Sequence, residues 1–179
     1  MVDYQKSEGN EKKQLLYEKL AAGRSGRLIL IIAPSGSGKT AALKQWTDQH
    51  MRSGEKAAAW LDMENSGDRC QYFITDLLQA VIAAVPDFYL PESPPGIDPD
   101  TEDRMIDLIN ALAFREEYLI LILDNYHAVQ DHAIHQAVEL LLDYMPANVQ
   151  AVIAARCDPP LQVARLRVRR QLVEIREKN

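Results

Sequence analysis

The apolar positions of this 179-residue chain follow two different spacings. Four short, mainly apolar runs predict strands that are buried on both faces, as in a parallel sheet. These runs lie at 28–33, 57–63, 118–123 and 149–155. In the segments between them, apolar residues recur three and four positions apart and predict amphipathic helices. The predicted helices span 39–50, 68–85, 101–114 and about 134–145. Because strands and helices alternate, we expect an α/β fold with a parallel sheet covered on both faces.

The remaining segments complete one predicted domain that covers residues 1–179. Residues 1–10 are polar and aperiodic and predict a flexible arm, while 11–20 predict a first helix. Residues 86–100 contain five of the nine prolines, so we expect a surface loop there. The end of the chain predicts a short helix and then an edge strand near 172–175.

A glycine-rich segment joins the first predicted strand to the helix after it. Its residues 33–40, APSGSGKT, match the phosphate-loop pattern G-x-x-x-x-G-K-[ST] except at the first position, where Ala33 stands. Ala33 ends the strand, where a small residue matters more than an achiral one, so the substitution is mild. A glycine-serine turn without function would look similar, but the flanking strand and helix favour a nucleotide site. The predicted nucleotide contacts are Ala33, Pro34, Ser35, Gly36, Ser37, Gly38, Lys39, Thr40 and Ala41.

The residue types in this loop suit phosphate binding. Gly36 and Gly38 let backbone N–H groups turn inward with no side chain blocking the anion. Lys39 supplies a cation for the β- and γ-phosphates, and the hydroxyl of Thr40 can ligate Mg²⁺. The helix that starts here adds a favourable dipole.

The apolar run at 118–123 ends in Asp124, the expected acidic partner for magnesium. On a parallel strand its carboxylate would emerge beside the loop; the alternative is a helix-cap or turn residue. Asn125 follows, and its amide cannot accept a proton from an attacking water. We therefore expect slow hydrolysis. The candidate catalytic residues are Asp124, Asn125 and Glu64. Glu64 is either a substitute base or a solvated loop acid.

Arg156 ends the run at 149–155 and has two interpretations. It could contact a γ-phosphate and report whether that phosphate is present. It could equally be a surface arginine that caps the edge of the sheet. Position alone favours neither.

With these residues in place, the chain resembles the ATP-binding module of the large LuxR-family transcription activators of the maltose-regulon activator type. That group lies within the signal-transduction ATPases with numerous domains (STAND). The resemblance covers most of 15–175 and rests on APSGSGKTAALKQW, AAWLDMENSGD, YFITDLLQAV, YLILILDNYHAVQD and VIAARCDPPLQVARLRVRRQLVEI. It implies a three-layer P-loop NTPase fold with about five parallel strands, and binding of ATP or ADP with Mg²⁺. It also implies that nucleotide state switches a larger protein between a resting monomer and an active oligomer.

By motif position, the resemblance implies specific roles for five residues. Lys39 would contact phosphate, and Thr40 and Asp124 would ligate magnesium. Arg156 would act as a sensor of nucleotide state, and His127 would support the site.

The chain also departs from this family. Asn125 replaces the usual second acid, and Gly67 and Asp68 stand where an Asp-Asn pair is common. The family's arginine-containing segment before the first helix is not evident. After Asn179, such proteins would continue into a small helical region, a winged helix, a helical-repeat sensor and a DNA-binding helix-turn-helix. We therefore expect this chain to be one module of a longer regulator.

Charge and composition restrict the expected partners. A net charge of -6 and a pI near 5.2 argue against direct DNA binding by this chain. The apolar runs are too short to cross a bilayer, so we expect a cytoplasmic protein without membrane contact. Cys70 and Cys157 lack metal-type spacing and are predicted to be reduced thiols. The expected partners are nucleotide, the rest of the parent regulator and further copies of the chain.

Two other clusters have simple interpretations. His132, His135 and Glu139 share one helical face and could coordinate a metal, but a solvated face is favoured. In the basic segment RLRVRR at 165–170, strand alternation would place Arg165, Arg167 and Arg169 on one face. An intramolecular or protein interface is favoured there over nucleic acid.

Three functions are compatible with these residues. The favoured one is a nucleotide-controlled regulatory switch with at most weak ATPase activity. A small-molecule or nucleotide kinase is the alternative, although residues 86–100 contain no arginine for a closing lid. A scaffold that binds no nucleotide is the third.

Overall fold

The structure is a computed structural model and describes residues 14, 16–20, 26–51, 56–65, 70–90 and 100–177. The strands in these ranges are β1 (Leu28–Ile32), β2 (Lys56–Asp62), β3 (Tyr118–Asp124), β4 (Val149–Ala155) and β5 (Leu172–Arg176). The helices are α1 (Lys39–Met51), α2 (Cys70–Ala84), α3 (Thr101–Ala113), α4 (His132–Tyr144) and α5 (Ala164–Val168), with a 3-10 turn at Tyr126–Ala128. Residues 16–20 are also helical.

The five strands form one parallel sheet in the order β2-β3-β4-β1-β5. This arrangement, with helices on both faces, confirms the predicted α/β P-loop architecture. β4 lies between β1 and β3, so the strand that ends in Asp124 is not the direct neighbour of the strand that precedes the glycine-rich loop.

Alternate residues of each central strand enter two separate cores, because side chains on a strand point to opposite faces. In β3, Leu119, Leu121 and Leu123 pack into the larger core, which also contains buried residues of α2, α3 and α4. Ile120 and Ile122 pack into the smaller core, with residues of α1 and the 16–20 segment. The continuous apolar runs of the sequence therefore reflect a sheet that is covered on both sides.

Two helices begin at aspartates that satisfy otherwise unpaired backbone N–H groups. A carboxylate oxygen of Asp100 accepts a hydrogen bond from the backbone N–H of Asp103 at 2.9 Å. Asp131 accepts in the same way from Ala133 at 2.9 Å. None of the described helices has the length and apolar character needed to span a membrane.

One detail of the sequence interpretation is wrong. Strand alternation does not hold at 165–168, because these residues belong to α5, the short helix predicted before the last strand, and β5 begins only at Leu172. The helical turn buries Leu166 against the larger core, which a strand leading straight into β5 would not do. The predicted arm at 1–10 and residues 91–99 of the predicted proline-rich loop lie outside the described residues.

A matched pair of isoleucine substitutions tests this packing. Ile122 in β3 is fully buried, whereas Ile106 on α3 is 41% exposed. We expect Ile122→Ala to lower the free energy of unfolding by about 2–5 kcal/mol, because burial is lost and a cavity remains. Ile106→Ala should cost at most about 1 kcal/mol. Urea unfolding followed by circular dichroism measures both, and equal effects would contradict the two-core arrangement.

Candidate functional site

The candidate site lies where the parallel strands end. The glycine-rich loop follows β1, Asp124 ends β3, Asp62 ends β2 and Arg156 follows β4. In an open parallel sheet, the carboxyl ends of the strands form the edge at which ligands bind. The loop begins with a hydrogen bond to this edge, since the backbone N–H of Ala33 donates to the carbonyl of Ala155 at 3.2 Å.

The backbone of the loop depends on its two glycines. Gly36 and Gly38 have φ values of +76° and +80°, a conformation that residues with a side chain rarely adopt. A side chain at Gly36 would have free space, so the constraint there is the backbone angle alone. Ala33 is buried and is not among the residues with positive φ, which explains why alanine is accommodated at this position.

Lys39 folds back over the loop. Its Nζ donates to the carbonyls of Ala33 at 2.6 Å and Pro34 at 2.7 Å, and the residue is only 7% exposed. Burial, followed by the nearby guanidinium of Arg156, lowers the pKa of Lys39, while Asp124 opposes this shift. The ammonium therefore lies among oxygen acceptors at the start of α1, where a phosphate would find both a cation and a helix N-terminus.

Thr40 and Asp124 contact each other directly, although 84 positions separate them in the sequence. Thr40 Oγ1 donates to Asp124 Oδ2 at 2.7 Å, and Asp124 is almost fully buried. A hydroxyl and one carboxylate are the kind of hard oxygen donors that Mg²⁺ uses, together with waters and phosphate oxygens. The pair fits a magnesium–nucleotide complex, whereas the described residues contain no cluster of three or more His, Cys, Asp or Glu side chains able to hold a metal alone.

Asn125 has a left-handed backbone, with φ 55° and ψ 33°, which asparagine tolerates better than most residues. Its backbone N–H donates to Asp124 Oδ1 at 2.9 Å. Its side-chain amide donates to Asp62 Oδ1 at 3.0 Å. The amide therefore connects the acid at the end of β3 to the acid at the end of β2.

Glu64, Arg156 and His127 form an ionic cluster on the outer side of the site. Glu64 Oε1 lies 3.3 Å from the Arg156 guanidinium and 3.6 Å from His127 Nε2. The Glu64 and Arg156 side chains are each 46% exposed, so their pairing adds little stability in water. Both partners of this surface pair remain accessible to a ligand.

The histidine cluster of α4 is structural. His135 is buried, which contradicts the expected solvated face, and its Nδ1 lies 2.9 Å from the hydroxyl of Tyr126. Burial raises the pKa of Tyr126, so the phenol stays protonated. Glu139 instead accepts a hydrogen bond from the backbone of Gln162 at 2.7 Å, and His132 is exposed.

The structure brings most of the predicted residues to one edge of the sheet. Contacts within the loop and across the edge connect Ala33, Pro34, Ser37, Lys39, Thr40, Asp124 and Asn125, while Glu64, His127 and Arg156 form the adjoining cluster. Ser35 and Ala41 are exposed, and Gly36 and Gly38 shape the backbone.

Two acids of this edge were missed in the sequence. Asp62 bonds to Asn125, and the charge of Glu177 raises the pKa of Lys39. Each lies where a predicted strand ends, the same signal that identified Asp124.

Comparison with known proteins adds a family and several relatives. A family model described as an AAA domain matches residues 22–157. The "HTH-type transcriptional regulator MalT" of Klebsiella pneumoniae subsp. pneumoniae is 29% identical over 167 residues, which cover 91% of this chain and 18% of that protein. MalT of Yersinia enterocolitica is 31% identical over 165 residues, with coverages of 89% and 18%. The chain thus spans less than one fifth of the length of these relatives.

Solved structures share the fold. CDC6P from Pyrobaculum aerophilum matches with a TM-score of 0.67 at 13% identity, covering 91% of this chain and 45% of that one. The Drosophila ORC bound to AT-rich DNA and Cdc6 matches with a TM-score of 0.66 at 11% identity, with coverages of 96% and 57%. At these identities the likeness concerns the fold alone.

The charges around His127 predict how its titration responds to substitution. Burial and then Arg156 hold its pKa below the ordinary value of 6.5; Lys39 acts in the same direction, and Glu64 and Asp124 oppose it. We expect Glu64→Gln to lower the pKa of His127 further and Arg156→Gln to raise it. NMR titration of the imidazole measures both shifts.

The same shift has a consequence for stability. Because the unfolded chain takes up a proton on His127 first, stability falls as the pH drops from about 6.5 toward the lower folded-state pKa. Above pH 6.5 the contribution of His127 to stability is constant.

In the NMR titration, a change of the His127 pKa in the same direction in Glu64→Gln and in Arg156→Gln would contradict the assigned charge environment.

Proposed function

This chain belongs to the AAA domain family, and on that premise we propose that it is an ATP- or ADP-binding switch module of a multidomain bacterial transcriptional regulator. Nucleotide state controls its self-association, and it hydrolyses ATP slowly at most. The observation that carries the proposal is the 2.7 Å contact between Thr40 Oγ1 and Asp124 Oδ2. That contact joins the end of a phosphate-type loop to the acid that a magnesium–nucleotide complex requires.

In this proposal the loop residues 33–41 surround the nucleotide phosphates. The positive φ angles of Gly36 and Gly38 orient the backbone N–H groups, and Lys39 places its ammonium against the β- and γ-phosphates. Thr40 and Asp124 hold magnesium, which neutralises phosphate charge when it is bound.

Arg156 is proposed to sense the γ-phosphate. Its guanidinium contacts Glu64 at 3.3 Å, and it lies close enough to Lys39 to lower the pKa of that lysine. A γ-phosphate can accept two N–H groups of an arginine at once, whereas Arg156 donates to Glu64 through Nη2 at 3.3 Å. If Arg156 exchanged Glu64 for the γ-phosphate, Glu64, which follows β2, would lose its contact with Arg156. The Glu64–His127 contact would then be free to change as well. In this way the nucleotide state would alter the exposed ionic cluster.

The regulatory context is supported by the relatives. The proteins named as MalT regulators match most of this chain but extend far beyond it. The proposed module therefore acts with other domains of a parent protein, and this chain, with its net charge of -6, does not contact DNA itself.

Turnover and self-association test the switch. The nucleotide retained by the purified chain is identified by chromatography, and its turnover is followed over hours. We expect retained ATP or ADP, hydrolysis far below one turnover per second, and different sedimentation in ATP and ADP. Rapid phosphoryl transfer to an added small molecule would instead favour a kinase.

Two lysines of α1 provide a matched test of nucleotide binding. Lys39 lies in the loop, whereas Lys44 is exposed, with its Nζ 5.9 Å from the centre of the Trp60 ring. We expect Lys39→Ala to remove a charge-assisted contact worth about 1.5–3 kcal/mol, which weakens Mg·ATP binding roughly 10- to 150-fold. Lys44→Ala should bind within about twofold of the parent chain, because the Lys44 ammonium lies over the Trp60 ring of β2. Calorimetry measures both, with circular dichroism to confirm folding; equal affinities would overturn the nucleotide site.

A further inference from the structure

The strand next to the predicted magnesium acid also ends in a carboxylate. Asp62 and Asp124 are paired in register across β2 and β3, and Asn125 Nδ2 donates to Asp62 Oδ1 at 3.0 Å. Residues paired in register on parallel strands project from the same face of the sheet. The carboxylate that is missing at position 125 is therefore present one strand away, in contact with the amide that occupies that position.

The hydrogen bonds of Asp62 leave it able to bind one more donor. Oδ1 accepts from Asn125 Nδ2 at 3.0 Å and from the backbone N–H of Glu64 at 3.2 Å. Oδ2 accepts from Asn65 Nδ2 at 2.7 Å. A carboxylate offers about four acceptor positions, so these three donors orient the group and leave one position on Oδ2. Asp62 is half-buried, so part of the residue is in contact with solvent.

Glu64, the other acid of this loop, is held differently. Its Oε1 faces both Arg156 and His127, and its side chain is 46% exposed. Arg156 and His127 thus hold Glu64 in the ionic cluster rather than against Asn125. Asp62 is the acid that is connected to Asp124 through hydrogen bonds.

We propose that Asp62 is the carboxylate that orients and deprotonates the attacking water in ATP hydrolysis, with Asn125 as the residue that positions it. The inference rests on the proposed function, because ATP is its substrate. As the water oxygen bonds to the γ-phosphorus, the bond from that phosphorus to the β,γ-bridging oxygen breaks. The water proton passes to Asp62, and ADP and inorganic phosphate leave.

Asp62→Asn is the central variant, because it keeps an oxygen that can accept from Asn125 and removes the base. We expect ATP turnover to fall about 100-fold, the order that a general base contributes, while affinity for Mg·ADP stays within about threefold. Affinity for ADP with aluminium fluoride, a mimic of the transferring phosphoryl group with its in-line water, should fall about tenfold or more. Asp107→Asn, at an exposed position of α3, is the matched control and should alter neither quantity.

Moving the acid between strands gives a second, independent test. Asn125→Asp is compatible with the left-handed backbone at position 125, because aspartate also tolerates that conformation. In the double variant Asp62→Asn/Asn125→Asp, the carboxylate lies on the β3 side of the same pair. We expect this variant to recover at least about a tenth of the parent turnover.

The outcomes separate this inference from the proposed function. If the parent chain does not bind Mg·ATP, the proposed function itself fails. If it binds Mg·ATP and Asp62→Asn turns over within about twofold of the parent, only the inference fails. Two further results would overturn the role of Asp62. One is a parent chain that turns over ATP no faster than Lys39→Ala, and the other is an Asp62→Asn variant that no longer binds Mg·ADP.

Discussion

Parallel hydrogen bonding between strands holds the carboxyl ends of β1, β2, β3 and β4 at a common edge, and each contact of the candidate site depends on this register. Asp62 pairs with Asp124 because β2 and β3 are in register over their whole length. Thr40 reaches Asp124 because the loop after β1 leads into α1 at the same edge. The apolar sheet interior thus determines the distances between the polar groups at its end.

The site balances its charges locally. Lys39 is surrounded by carbonyls and lies near the carboxylates of Asp124 and Glu177, while Arg156 contacts Glu64. The negative charge of these acids offsets the positive charges of Lys39 and Arg156. The nearly buried Lys39 ammonium can therefore stay at the loop without a dedicated ion-pair partner. This balance also means that a nucleotide, with its magnesium, would compete with acids already present and not enter an empty cationic pocket.

Much of the fold follows from the sequence alone, because buried parallel strands and amphipathic helices have distinct apolar spacings. The predicted runs at 28–33, 118–123 and 149–155 agree with strands β1, β3 and β4 to within a residue. The short helix predicted before the last strand is confirmed at Ala164–Val168, whereas strand alternation fails there because Leu166 packs into the larger core. The end of β2 marks Asp62 as a candidate in the sequence, but its contact with Asn125, 63 positions away, depends on the strand order.

Because β4 lies between β1 and β3, its register determines how the ends of these two strands align with each other. One side of β4 is registered to the strand that carries the loop and the other to the strand that carries Asp124. A slip of β4 by one residue, about 3.3 Å, would turn Arg156 to the opposite face of the sheet. It would also break the hydrogen bond between Ala33 and Ala155. Insertions or deletions within β4 should therefore be far less tolerated than in the loops that flank it.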